Sequence, residues 1–287
     1  MTYATPQALR TALEDRLRNR SAATGVALDR LRRRVLFERV VARLEAADPG
    51  DWVLKGGMAL EVRLHDDARL TKDIDLGLRA EVQDSMSLHE RLVDTLTLDP
   101  QGDRFGLAPL PPELLGADRA GHVTWRVKVA ASLAGKPFGG IHLDISPRAH
   151  ELIDTEHLEL PNSLDFAGIP GTVIEIINVN RHAAEKFHAM LRDYGDRENS
   201  RVRDLVDVVL LVEHRLLTPS LVADATRAVW RERDDASPPL AFPSLPESWP
   251  DRYERLCAEL DLDAGTFTAA LAQVERLWFD MFTPHEA

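Results

Sequence analysis

Apolar positions recur at a helical spacing early in the chain. Leu28, Leu31, Val35, Leu36, Val40, Val41 and Leu44 form one stripe, and the pattern predicts helices over 6–20 and 26–46. Asp48-Pro49-Gly50-Asp51 reads as a turn. Trp52-Val53-Leu54 reads as a short buried strand broken by Gly56-Gly57, with a helix over 58–64 and a loop over 66–71. The period then changes. Ile74 and Leu76 alternate with Asp73 and Asp75, as in a half-buried strand. A helix is expected over 81–98, and a Pro- and Gly-rich loop with room for a short strand over 99–120. Residues 123–131 and 140–145 read as paired strands joined around Gly135-Lys136-Pro137, and 172–179 as another strand or a strand running into a helix. Helical spacing returns over 181–194, 200–215, 218–233, 252–261 and 264–282.

The order of elements predicts an α/β (α+β) half followed by a helical bundle. The expected parts are a pair of basic helices over 1–48, a sheet-bearing core over 49–178, and a helical domain over 179–287. Within the last, the prolines between Pro238 and Pro250 mark an extended strap over 236–250. No run approaches about 18 apolar residues, so a membrane-spanning helix is not expected. The N-terminus shows no charged-then-apolar signal pattern, so the expected location is cytoplasmic. The single cysteine, Cys257, excludes an internal disulfide and a cysteine-cluster zinc site.

The net charge of −12 argues against a general nucleic-acid coat, but the charge is unevenly spread. Residues 1–43 hold ten arginines against four acids, a net +6, which leaves −18 for the other 244 residues. Such an arm either grips a phosphate backbone or forms a solvated amphipathic helix pair. The chain has five lysines against thirty arginines, and Lys55, Lys72 and Lys186 fall inside the motifs below.

Asp73 and Asp75 stand two apart on one strand, so both side chains leave the same face. Two carboxylates that close repel unless a cation lies between them. This is the geometry that holds one or two Mg²⁺ ions for phosphoryl or nucleotidyl transfer. Gly56 and Gly57 open a helix, and their backbone N–H groups can approach a phosphate without a Cβ in the way. Arg63 and Arg69 flank the loop and are placed to touch phosphate; Lys55 either does likewise or simply ends the strand. On 139–146, His142, Asp144 and Ser146 share one face, where Asp144 either completes a metal site or takes a proton from an attacking hydroxyl. Asp73 and Asp75 also have a plain reading as a solvated strand edge, and Asp144 as an exposed strand residue.

In the helical half, Asp207 is embedded in Leu205-Val206-Asp207-Val208-Val209-Leu210-Leu211-Val212 and needs a partner if buried. Arg203, one turn away, is the plain candidate, and Lys186 on the preceding helix is the functional one. Trp230, Trp249 and Trp278 suit a core better than base stacking.

The string Lys-Gly-Gly-x-x-Leu-x-x-Arg (55–63) followed by Arg-x-Thr-Lys-Asp-x-Asp (69–75) is similar to the AbiEii/AbiGii toxin branch of the polymerase-β-like nucleotidyltransferases, which includes the MenT-type toxins. Ala184-Glu185-Lys186-Phe187-His188-Ala189 and Arg203-Asp204-Leu205-Val206-Asp207 resemble the later Lys and Asp motifs of the branch. The likeness spans roughly 50–215. Fifteen residues separate Gly57 from Asp73, longer than in the wider superfamily and in keeping with this branch. Thr71 stands where a Ser is usual.

The resemblance implies a polymerase-β-like mixed sheet with flanking helices and a nucleoside triphosphate substrate. It also implies Mg²⁺ or Mn²⁺ on Asp73, Asp75 and Asp144. Gly56, Gly57, Lys55, Arg69, Thr71 and Lys72 would lie around the nucleotide, Lys186 would neutralise the triphosphate, and Asp144 or Asp207 would assist the nucleophile. The implied acceptor is the tRNA 3′ end, and the implied partner a neutralising antitoxin. Two other readings stay open: transfer to a protein or small molecule, and an inactive nucleotide-binding module.

Overall fold

The structure, a computed structural model, describes residues 3–117, 121–258, 260 and 262–283. It divides into two compact units. One comprises Met1–Val62 and Leu70–Ile177, the other Arg63–Arg69 and Asn178–Ala287.

The first unit opens with α1 (Pro6–Thr24) and α2 (Leu28–Ala47). Thr5 caps α1 by accepting from the Ala8 N–H at 3.2 Å, Pro6 starts the first turn, and Gly25 ends it in the left-handed region. The sheet contains β1 (Trp52–Lys55), β2 (Asp73–Leu78), β3 (Phe105–Pro109), β4 (Glu113–Ala117), β5 (Val123–Leu133), β6 (Lys136–Ser146), β7 (Thr155–Glu159) and β8 (Val173–Ile177). Their order is β3-β5-β6-β2-β1-β8-β7, with β4 also pairing with β5. The sheet is mixed: β1 runs antiparallel to β2, while β2 is parallel to β6 and β1 to β8. Helix α2 packs on β6 and α1 on β5. Leu13, Val35, Val40 and Leu44 of the helices join Leu54, Ile74, Leu143 and Ile176 of the strands in one buried cluster. Each such side chain contributes roughly 1.5–3 kcal/mol of apolar burial.

Three expectations change. The segment 99–120 is not a plain loop: β3 and β4 form there because β5 is long enough to pair with both, at 129–133 and at 123–126. Residues 118–120 of that segment lie outside the described residues. Strand β7 escapes sequence reading because Glu156, His157 and Glu159 give it no apolar face; it is an edge strand whose charges guard against further pairing. The expected helix over 81–98 narrows to α4 (Ser85–Leu96), since Asp84 and Ser87 form a reciprocal cap.

The basic N-terminal helices are not a free cationic stripe. Arg43 is fully buried and donates to both oxygens of Asp103 at 2.7 Å. Arg32 donates to Glu14 at 2.7 Å and Arg34 to Glu61 at 2.5 Å. Arg39 donates to Gln101 at 2.8 Å, and Arg10 to the backbone oxygens of Leu133, Lys136 and Pro137. Five of the ten arginines are therefore engaged within the fold, with α1, α3 (Gly56–Leu64), the segment before β3 and the β5/β6 turn.

The second unit holds α5 (Val179–Leu191), α6 (Val202–Glu213), α7 (Pro219–Asp234), α8 (Trp249–Cys257) and α9 (Phe267–Phe282). Trp230, Trp249 and Trp278 are buried, so they are core residues. The segment 236–248 has no regular element; it crosses this core, with Pro239 C=O accepting from Trp278 Nε1 and Phe242 edge-on to Trp278. Pro250 belongs to the first turn of α8 rather than to the strap, a position where its missing N–H costs nothing. The expected extension of that helix to 261 meets positions 259 and 261, outside the described residues. Among the described residues no helix is long and apolar enough to cross a membrane.

Candidate active site

Strands β1, β2 and β6 place five residues singled out in the sequence side by side. In the antiparallel β1/β2 ladder Lys55 faces Asp75, and in the parallel β2/β6 ladder Asp73 faces His142 and Asp75 faces Asp144. Ile74 and Leu76 are buried on the opposite face, as the alternation requires. Helix α3 (Gly56–Leu64) starts where β1 ends. Gly56 has φ +59°, and a Cβ built there would lie 1.8 Å from Asp75 Oδ2 and 2.9 Å from Asp75 Cβ. Only glycine fits. The positive end of α3 consequently abuts the Asp75 carboxylate.

Arg126 on β5 was not singled out from the sequence, yet it joins two of the three acids. It faces Asp144 in the β5/β6 ladder. Its Nε donates to Asp144 Oδ1 at 2.8 Å, and its Nη2 donates to Asp144 Oδ2 at 2.7 Å and to Asp73 Oδ2 at 3.1 Å. The hydrogen bonds to Asp144, then the charges of Asp144, Asp73 and Asp75, raise the guanidinium pKa further. His142 Nδ1 stands 3.4 Å from Asp73 Oδ1. Asp144 is buried, whereas Asp73 is about one-third exposed.

The other predicted positions divide. Lys55 pairs at 2.9 Å with buried Glu151. The Thr71 hydroxyl lies 3.4 Å from the Asp73 carbonyl oxygen, and Lys72 is exposed.

Arg69, Lys186 and Asp207 meet within the helical unit. Arg69 Nε and Nη2 donate to Asp207 Oδ1 and Oδ2 at 2.5 and 2.8 Å. Lys186 Nζ lies 2.9 Å from Asp207 Oδ2 and donates to Asp204 Oδ1 at 2.8 Å. Asp207 is fully buried, as its apolar context predicts, but its partner is not Arg203, which is exposed. The helix turns Arg203 outward, and the arginine that precedes the Asp-x-Asp strand takes its place. Burial alone would raise the Asp207 pKa; the charges of Arg69 and Lys186 and their hydrogen bonds reverse that and hold it well below the usual carboxylate range. For Lys186, burial is outweighed by Asp204 and Asp207, so its ammonium is held more tightly than usual.

His182, one helical turn before Lys186, is buried, and neither ring nitrogen has a hydrogen-bond partner among the described residues. Burial, then Lys186 and Arg63, push its pKa down to about 3. Nothing in the local sequence separates it from an ordinary helical histidine.

Residues 39–273 match the family model described as nucleotidyl transferase AbiEii toxin, type IV toxin–antitoxin system. Among solved structures the fold is similar to MenT4, a nucleotidyltransferase toxin from Mycobacterium tuberculosis H37Rv. That likeness has TM-score 0.57 and 17% identity, and covers 95% of this chain and 90% of the other. JHP933 from Helicobacter pylori is similar at TM-score 0.50 and 18% identity, over 89% of this chain and 93% of the other. No curated protein sequence gives a significant match. At such identities the solved structures show the fold alone, a mixed α/β nucleotidyltransferase fold. The family match covers most of the chain, and the chain belongs to the AbiEii nucleotidyl transferase toxin family and is a nucleotidyltransferase.

Proposed function

We propose that this toxin transfers a nucleoside monophosphate from a nucleoside triphosphate to the 3′ hydroxyl of tRNA, with Mg²⁺ or Mn²⁺ on Asp73 and Asp75. The observation that carries this is the contact of Gly56 with Asp75, which sets a helix N-terminus, a Cβ-free approach and two same-face carboxylates in one place. The donor set fits a hard divalent cation: oxygen ligands, partly exposed, repelling one another unless neutralised. When bound, such an ion stabilises charge on the phosphates and lowers the pKa of the attacking hydroxyl. An acceptor oxygen forms a bond to the α-phosphorus, the bond from that phosphorus to the α,β-bridging oxygen breaks, pyrophosphate leaves with the electron pair, and the hydroxyl proton passes to solvent.

The remaining residues take supporting roles. The N–H groups of Gly56 and Gly57 receive phosphate oxygens, and Lys186 supplies a cation for the triphosphate. A guanidinium donates to both oxygens of Asp144 and of Asp207, which weakens each as a base and supports solvent as the proton acceptor. Asp207 instead positions Arg69 and Lys186.

A protein side chain or a small molecule is the second acceptor reading, and the consumed charge of the N-terminal helices favours it. Incubation with α-³²P-labelled NTPs, total tRNA and whole-cell extract separates the two. Label is expected in tRNA, lost with Asp75→Asn; label only in a protein band or a small-molecule fraction selects the second reading, and no label anywhere overturns both. The antitoxin implied by the family and a cytoplasmic location complete the proposal.

A further inference from the structure

We infer that Arg126 withholds Asp144 from metal binding, so that without nucleotide the acidic cluster takes a single divalent ion, on Asp73 and Asp75. The inference rests on the metal reading above and deepens it.

Three carboxylates lie on adjacent strands, an arrangement that invites a three-ligand, two-ion site. The distances argue otherwise. The Nη2 of Arg126 sits 2.7 Å from Asp144 Oδ2 and 3.1 Å from Asp73 Oδ2, so a guanidinium fills the space that an ion shared by those two acids would need. A Mg²⁺ ion requires oxygen at about 2.0–2.1 Å. It cannot sit there beside a nitrogen cation. Asp144 is also the most buried of the cluster, and it is gripped through both oxygens. Moving it from Arg126 to a metal would take a buried acid from its charge partner and leave the half-buried guanidinium without its bidentate acceptor. Asp73 meets Arg126 through Oδ2 and has its other oxygen, Oδ1, toward His142. Asp75 faces the glycine-opened side of the cluster.

Arg126 is thus a positioning residue. It acts on the metal site by fixing Asp144 and one oxygen of Asp73.

Mn²⁺ alone, titrated into the full chain without nucleotide and followed by electron paramagnetic resonance of the free ion, tests this. Wild type is expected to bind one Mn²⁺, and Asp75→Asn to abolish it. Asp144→Asn should keep one ion, with affinity lowered by no more than about 100-fold, as for an outer-sphere group. Arg126→Gln should bind Mn²⁺ more tightly than wild type, because Asp144 is released. The double variant Arg126→Met/Asp144→Leu removes the pair without leaving a buried charge, and it should retain the ion even if Arg126→Gln folds poorly. Loss of the ion in Asp144→Asn as complete as in Asp75→Asn would overturn the role of Arg126 and leave the metal reading standing. A second wild-type ion that disappears in Asp144→Asn would do the same. If wild type takes no Mn²⁺, or Asp75→Asn changes nothing, the metal reading falls and this inference with it.

Discussion

Gly56 touches Asp75 so closely that a Cβ at position 56 would overlap a carboxylate oxygen 1.8 Å away. The overlap extends to Asp75 Cβ, so rotation of the carboxylate alone cannot relieve it. Gly56→Ala must move strand or helix, at a position with φ +59° that already strains any L-residue. We expect it to lower transfer activity by about 100-fold, the cost of misplacing reacting groups by an ångström. Gly50→Ala is the control. Its φ is +78° but nothing lies within 4 Å, so it should lose only about 1 kcal/mol of stability and keep activity. Equal activity losses in the two variants would mean that the contact with Asp75 does not matter.

Arg69, Lys186 and Asp207 form a buried charge cluster in the helical unit. Asp204, paired with Lys186, makes the cluster neutral, so removing Arg69 or Asp207 leaves an uncompensated charge in it, which costs about 3–5 kcal/mol. Arg69→Ala and Asp207→Ala should each lower the urea midpoint on that scale. The double variant should cost less than the sum, because the same interaction is lost only once. Additive losses would show that the two groups do not interact.

Stability at mildly acidic pH reports on His182. Its folded-state pKa, down to about 3, lies below the ordinary histidine value of 6.5. The unfolded chain therefore binds a proton that the folded chain refuses, and the contribution of His182 to stability falls as pH drops through 6.5 toward 3. Glu38 and Glu45 act oppositely. Burial raises each to about 7, so they favour the folded state as pH falls from 7 toward 4.5. The two effects offset in wild type. Urea denaturation between pH 5 and pH 8, values set by the ordinary histidine range, should show His182→Leu gaining stability relative to wild type as pH falls, and Glu38→Gln losing it. Parallel pH profiles for all three proteins would refute the assignment.

The N-terminal arginines give a prediction of unchanged behaviour. Arg32 and Arg34 are tied to Glu14 and Glu61, so they do not release counterions from a bound polyanion. Replacing both with Ala should lower thermal stability while leaving the slope of tRNA affinity against salt unchanged. Fluorescence anisotropy across a KCl series measures that slope, and a slope reduced by one or more would restore the arm as a tRNA contact.

Much of the molecule is legible in the residues. The helical stripe from Leu28 to Leu44, the alternation at 73–76, the apolar context of Asp207 and the Gly-Gly turn all identify their surroundings because each is a local periodicity or a local steric requirement. Strand β7 is not legible, since an edge strand needs no apolar face. Nor is the pairing of Arg69 with Asp207, which lie 138 positions apart. Arg203 was the nearer partner by sequence, and only the packed helix shows that it points outward.

The sequence by itself determined an α/β half followed by helices and the face shared by Asp73 and Asp75, because these follow from residue type and spacing; its likeness to a family implied the mixed sheet. Tertiary structure decided what surrounds those acids. In the β5/β6 hairpin the register shifts between Ala131 and Ser132: Ser132 pairs with Pro137, but Ala131 pairs with Gly139. Phe138 is the extra residue. Without that bulge Arg126 would stand opposite Leu143, on the core face, instead of opposite Asp144. Strand side chains alternate with a period of two, so one inserted residue carries a guanidinium from one side of the sheet to the other.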